Sequence, residues 1–228
     1  GKLCAAVLEQ PFDAETIRVL IMDNGFKQIF HDTIELTANC DGELIYEKEN
    51  GENQESSFKK GDTFSYEASD KKLENGDFLT MDFGCLYQGY CSDMTRTVVI
   101  GSASEKQREI YDTVLKAQET ALLGIRPGMK GSQIDAMARD VITDAGYGKY
   151  FGHALGHSVG LEIHESPNFS PREETVIKPG MVVTVEPGIY IEGIGGVRIE
   201  DVVIITEDGC ENITHSTKKL LELTAQKG

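Results

Sequence analysis

Asp82 sits among apolar neighbours in Phe78-Leu79-Thr80-Met81-Asp82-Phe83, and Asp93 follows a short turn later, just before the extended run Thr95 to Ile100. A hairpin turning between Tyr87 and Gln88 makes these two acids cross-strand partners. Like charges opposite one another on a sheet repel, the more so when burial removes their water, and a cation between them relieves the penalty. The runs Met181 to Ile191 and Val197 to Ile205 flank Glu192-Gly193-Ile194-Gly195-Gly196, and a hairpin centred on Gly193 sets Glu186 against Glu200. Any one of these acids taken alone reads first as an exposed strand carboxylate or half of an ion pair, and one bulge displaces either pairing. Two mirrored pairs point to a shared cation. His153, His157 and His164 lie close together among glycines that permit tight backbone approach, and imidazole is a common divalent-metal ligand. Four carboxylates and one imidazole carry the charge that two divalent ions cancel. The oxygen-rich, cysteine-free set suits Mn²⁺ first, then Co²⁺, Zn²⁺ or Fe²⁺, and is poor for a structural zinc.

The elements that must hold these residues are legible on either side. Ser104-Glu105-Lys106-Gln107 has capping-box spacing, and Ile110, Val114, Leu115, Gln118, Ala121, Leu122 and Ile125 carry a helical stripe that stops at Arg126-Pro127-Gly128. Ser132 caps a second helix through Ile134, Ala138 and Ile142 to Ala145, ended by Gly146. Upstream, Asp13 to Asn24 reads as a helix ended by Gly25. Ile34-Glu35-Leu36 and Glu43-Leu44-Ile45-Tyr46 alternate as strands, and the polar stretch Glu47 to Ser57, with Asn50-Gly51, reads as an exposed turn or loop. The fold class expected is α+β, with antiparallel sheet and flanking helices.

Composition narrows the function. The 228 residues hold 38 acidic against 22 basic side chains, a formal charge of −16, and are 39% hydrophobic. That surplus opposes a nucleic-acid partner, which needs a basic face. No apolar run approaches the roughly 18 residues of a membrane span. The first residues lack the basic start and long apolar region of a signal peptide, so a cytoplasmic protein is expected. Five cysteines without a Cys-x-x-Cys pair argue against a disulfide framework and lead us to expect buried, reduced thiols.

In order, the chain presents Asp82-Phe83-Gly84, then Ser92-Asp93-Met94-Thr95-Arg96-Thr97, then Gly152-His153-Ala154-Leu155-Gly156-His157-Ser158-Val159-Gly160-Leu161-Glu162-Ile163-His164-Glu165-Ser166-Pro167. Val185-Glu186-Pro187-Gly188-Ile189-Tyr190 and Gly196-Val197-Arg198-Ile199-Glu200-Asp201 follow. This series, over about residues 68–223, resembles the pita-bread metallopeptidases, specifically the Xaa-Pro dipeptidase and aminopeptidase P branch. His153 and Arg198 favour that branch over the methionine aminopeptidases, which rank second. The resemblance implies that Asp82, Asp93, His157, Glu186 and Glu200 bind two divalent metal ions, with Asp93 and Glu200 bridging them. It implies cleavage of the peptide bond before proline, in Xaa-Pro dipeptides or at peptide N-termini, by a metal-bridging hydroxide. Glu186 is then the proton shuttle, His153 and His164 hydrogen-bond the substrate and the tetrahedral intermediate, and Arg198 orients an acidic ligand or makes a surface salt bridge. The implied partner is a short peptide with proline second, and homodimerisation is left open.

Residues 1–66 depart from the family pattern, and residues 67–228 are expected to form the catalytic half. The family's Pro-His segment before the first metal aspartate is missing, and the His position falls on Ser65, within Thr63-Phe64-Ser65-Tyr66-Glu67. His31 is too far upstream to replace it. A divergent half-domain, a different β module and an engineered replacement all remain readings of this third. Loss of one donor to substrate costs about 10²–10³ in kcat by analogy with oxyanion holes. A weakly active or inactive metal-binding scaffold is therefore an alternative, and a metal-free amidinohydrolase of the creatinase type is disfavoured by the complete ligand set.

Overall fold

The computed structural model describes residues 73–87 and 89–223, together with the strands β1 (Ile29–Phe30), β2 (Thr33–Thr37), β3 (Gly42–Glu47), β4 (Asn53–Phe58) and β5 (Thr63–Tyr66). The helix expected over Asp13 to Asn24 and His31 lie outside the described residues. The chain divides into two compact units between Leu73 and Glu74. In the first, β1, β2 and β5 form an antiparallel sheet in the order β1-β2-β5, and β3 pairs with β4. Strands at Ile34 to Leu36 and Glu43 to Tyr46 match the alternation. Asn53–Phe58 does not match the expected loop: it is a strand in register with β3, from Glu47 opposite Asn53 to Gly42 opposite Phe58. Backbone ladders hold such a ribbon whatever its side chains, so its polar sequence hid it.

In the second unit β6 (Phe78–Tyr87) and β7 (Tyr90–Ile100) form a long hairpin, and β15 (Glu222–Leu223) adds to β7 in parallel. Helix α1 (Glu105–Gly124) follows, with the full Ser104/Gln107 capping box. Helix α2 (Gly131–Asp144) comes next and ends through Ala145 into Gly146 at φ +87°. Its cap is Lys130 and not Ser132: the Gln133 side chain accepts from the Lys130 amide at 2.9 Å, a backbone-led start that a search for capping side chains overlooks. No described helix is long and apolar enough to cross a membrane.

A five-stranded antiparallel sheet has the order β14-β13-β10-β8-β9, from β8 (Gly156–Ser158), β9 (Glu165–Phe169), β10 (Val182–Val185), β13 (Asp201–Ile205) and β14 (Cys210–Asn212). A two-stranded ribbon joins β11 (Gly188–Ile191) to β12 (Gly195–Arg198). Helix α1 packs against α2 and against β10, β11 and β12. Ile110, Val114, Ala121, Ile134, Ile142, Val183, Val185, Ile189, Val197 and Val203 fill the core between them. This core fixes the backs of the strands whose fronts carry the acids. Cys91 and Cys210 are partly exposed, less buried than expected.

Candidate metal centre

The two hairpins meet the acid pairs differently. In β6–β7 Gly89 stands at φ +86°, a conformation that glycine supplies to tight hairpin turns, and Tyr87 faces Tyr90. The register therefore differs by two residues from the expected one: Asp82 faces Thr95 and Asp93 faces Gly84. Because the shift is even, both acids keep the same face and become diagonal neighbours. In the second hairpin the expected register holds. Val185 faces Asp201 on one side of the acids and Gly188 faces Arg198 on the other. At Glu186 and Glu200 the ladder is broken: Pro187 supplies no amide, the Glu186 amide donates to Leu155 O at 2.8 Å, and the Glu200 amide donates to Thr95 O at 3.1 Å. The hairpin thus leaves one sheet for the other at its two glutamates, and each is tied to a neighbouring segment that carries another site residue.

His157 enters from β8. A Cβ at Gly156 would lie 2.0 Å from Thr184 O, so glycine is what allows β8 this close to β10. There the Thr184 hydroxyl accepts from the His157 amide at 2.9 Å and donates to Glu186 Oε1 at 2.9 Å. His157 Nδ1 donates to Ser158 O at 3.1 Å, which turns Nε2 toward Glu186 Oε1 at 3.3 Å and Asp93 Oδ2 at 3.5 Å. One ligand atom from each of Asp93, His157 and Glu200 falls within 4.8 Å of the other two.

The electrostatics of this cluster are those of acids crowded together. Asp93 is pushed up to about 7 by burial and by the charges of Asp82 and Glu186. Glu200, 1% exposed, is raised well above the usual range by burial and then by Glu186, Asp93 and Asp82. Burial opposes the charge on Glu186, yet its bond to His157 and the imidazolium's charge hold it below the ordinary value; the same pair raises His157 against its own burial. Thr95 Oγ1 donates to Glu200 Oε2 at 2.6 Å, while Glu200 Oε1 is buried without a hydrogen-bond partner. A buried acceptor with nothing to accept from, beside further carboxylates and an imidazole whose Nε2 faces them, fits a divalent cation.

Asp82 stands at the edge of this group, 46% exposed, and receives a bond from Arg198 Nη2. Arg198 is 21% exposed and also donates from Nη1 to the Tyr190 hydroxyl at 2.7 Å and from Nε to Thr95 Oγ1 at 3.2 Å, so its partners lie within the site. His164 packs its ring edge-on to that of His157, centroids 4.2 Å apart. His153 is more remote. Its Nδ1 donates to Ala154 O at 2.8 Å, leaving Nε2 to accept from the Tyr190 hydroxyl at 3.0 Å, and burial lowers its pKa, which keeps it neutral. Tyr190, Thr95 and Thr184 were not singled out from the sequence. Tyr190 and Thr95 stand inside the quoted motifs, but only the fold shows what their hydroxyls touch. Ser65 lies on β5 opposite Glu35, in the other unit.

Comparison with known proteins agrees with this geometry. An Xaa-Pro dipeptidase of Pyrococcus furiosus is 56% identical over 154 residues, 68% of this chain and 44% of that protein. An uncharacterised peptidase of Bacillus subtilis is 56% identical over 156 residues, again 68% of this chain and 44% of the other. The chain thus spans less than half the length of these curated relatives. The crystal structure of the prolidase from Pyrococcus horikoshii superimposes with a TM-score of 0.71 at 41% identity, covering 96% of this chain and 60% of that one. An Xaa-Pro dipeptidase from Bacillus anthracis gives 0.71 at 40% identity, over 97% and 60%. The α+β architecture is the pita-bread fold that these structures share. The profile of metallopeptidase family M24 matches residues 4–207, and the chain belongs to that family.

Proposed function

We propose that this protein is a metal-dependent exopeptidase that hydrolyses the bond before proline in Xaa-Pro dipeptides or at peptide N-termini. The observation that carries the reading is the convergence of Asp93, His157 and Glu200, with a buried Glu200 oxygen lacking a partner. Asp82, Asp93, His157, Glu186 and Glu200 would hold two divalent ions, Mn²⁺ by first choice for an oxygen-rich set. Such ions, when bound, acidify water and polarise the scissile carbonyl.

The chain's own groups supply the rest. Glu186, oriented by the bond it accepts from the Thr184 hydroxyl, is placed to take a proton from the attacking water and deliver it to the departing proline nitrogen. His164, stacked edge-on to His157, is the group we assign to hydrogen-bond the substrate and its tetrahedral intermediate. His153 contributes through the Tyr190 hydroxyl that it holds, and reaches substrate only by exchanging that bond. Arg198 orients Asp82 and Tyr190. The family match beginning at residue 4 supports reading residues 1–66 as a divergent half-domain.

The test is a hydrolysis panel of an Xaa-Pro dipeptide, an Xaa-Pro tripeptide, a Met-Ala tripeptide and creatine, with Mn²⁺ or a chelator. Chelator-sensitive cleavage of the Xaa-Pro substrates alone is expected. Cleavage of the Met-Ala peptide instead would move the assignment to methionine aminopeptidase, and silence with metal bound would make the chain an inactive scaffold.

A further inference from the structure

Directly behind the acids lies a second charged group that takes no part in the chemistry above. Thr95 and Glu200 face the site; the next residue along each strand, Arg96 and Asp201, faces the opposite side, as strand alternation requires. Arg96 is 2% exposed and Asp201 is fully buried. Arg96 Nη2 donates to Asp201 Oδ1 at 2.7 Å and to Ser216 O at 3.0 Å, and Nε donates to Thr217 O at 3.0 Å. Nη1 donates to two backbone carbonyls at once, Thr95 O at 2.8 Å and Glu200 O at 2.5 Å. All five guanidinium hydrogens are therefore used. Asp201 Oδ2 accepts from Gln118 on α1 at 2.9 Å, from Asn212 on β14 at 2.7 Å and from Lys218 at 3.0 Å.

A buried ion pair of this kind is a poor investment for stability alone, since apolar replacement is often neutral or stabilising. Its geometry has another use. The two carbonyls that Nη1 joins belong to the two residues whose side chains meet at 2.6 Å in the site, where Glu200 has left the β-ladder and lacks ordinary strand partners. We propose that Arg96 and Asp201 are positioning residues that fix Thr95 and Glu200 in their metal-ready arrangement before any ion binds. The proposal rests on the reading of Glu200 as a metal ligand. It assigns the Arg fork, anchored by Asp201 to α1 and β14, the task of holding two strands of different sheets at one spacing. Lysine cannot do this, because one ammonium lacks the planar fork that spans both carbonyls and the carboxylate.

The test compares Mn²⁺ affinity, by calorimetry on metal-stripped protein, of the wild type, Arg96→Lys and Lys218→Met. Lys218→Met removes a cation from the same network without touching Thr95 or Glu200, so it reports the cost of disturbing the network alone. Arg96→Lys is expected to weaken Mn²⁺ binding about 10–100-fold, the usual effect of losing a partner that orients a ligand. Lys218→Met should stay within about threefold of wild type on the same scale. Wild-type affinity in Arg96→Lys, or an equal loss in both variants, overturns the proposal. A wild type that binds no Mn²⁺ overturns the functional reading instead.

Should Arg96→Lys not fold, amide hydrogen exchange on the wild type decides. The Glu200 amide, bonded to Thr95 O, is expected to be as protected as core strand amides in the metal-free protein and unchanged by Mn²⁺. Rapid exchange that slows only on loading would mean that the metal, and not Arg96, organises the ligand.

Discussion

On the proposed reading protons and cations compete for the oxygens of Asp93 and Glu200, because both carboxyls are raised by burial and by the charges of Asp82 and Glu186. Between its ordinary value of 3.8 and about 7, the folded metal-free protein keeps a proton on Asp93 that the unfolded chain has lost. Raising pH through that window therefore destabilises the metal-free fold, the reverse of the usual carboxylate effect. Mn²⁺ must displace the same proton, so its affinity is expected to climb toward pH 7 by about tenfold per pH unit for each proton released. Calorimetry at pH 5.5, 6.5 and 7.5 measures this, and a flat profile contradicts the electrostatic account. His164 belongs to the same scale but to another role. His164→Ala is expected to leave the metal content unchanged and to lower kcat by about 10²–10³. Loss of metal in that variant, read by elemental analysis, would instead make His164 a ligand.

Among the elements, close approach of β8 to β10 is what delivers His157. Gly156→Ala places a Cβ 2.0 Å from the Thr184 carbonyl, so the strands must separate. A cost of about 1–3 kcal/mol in denaturant unfolding is expected, together with weaker Mn²⁺ binding. Ser104→Ala, at the cap of α1, should cost about 1 kcal/mol and leave Mn²⁺ affinity unchanged. If Gly156→Ala were equally silent toward the metal, β8 would not be the element that aims His157. The sequence was most legible where local chemistry decides the conformation. The Ser104/Gln107 box and the Gly193-centred register are such cases, the latter carried through both ladders around Glu186 and Glu200. It was less legible where the deciding fact is a dihedral or a distant partner. Gly89 moved the first turn by one position and so turned the Asp82–Asp93 pair into a diagonal. Lys130 starts α2 without a capping side chain, and the polar run Asn53–Phe58 pairs through its backbone. Arg96 and Asp201 stand within the quoted motifs, but nothing local in them shows that Gln118 and Lys218, far along the chain, close around Asp201.

For the whole molecule, the proposed metal centre would turn acids that destabilise one another without metal into a source of stability with it. A ligand that binds only the folded state adds about 2.7 kcal/mol at a hundredfold excess over Kd. Chelation should therefore lower Tm measurably at neutral pH, and added Mn²⁺ should restore it. Two compact units and a match to family M24 from residue 4 to 207 frame that behaviour in a chain that covers less than half of its curated relatives' length. The central claim is that acids on two hairpins, joined by His157, hold a pair of divalent ions with Asp93 and Glu200 shared between them. It is tested most directly by counting Mn²⁺ per chain after equilibrium dialysis of the wild type, Asp93→Ala and Glu200→Ala. The account predicts two ions in the wild type and at most one in either variant, each variant folded by circular dichroism; two ions retained in either variant would contradict it.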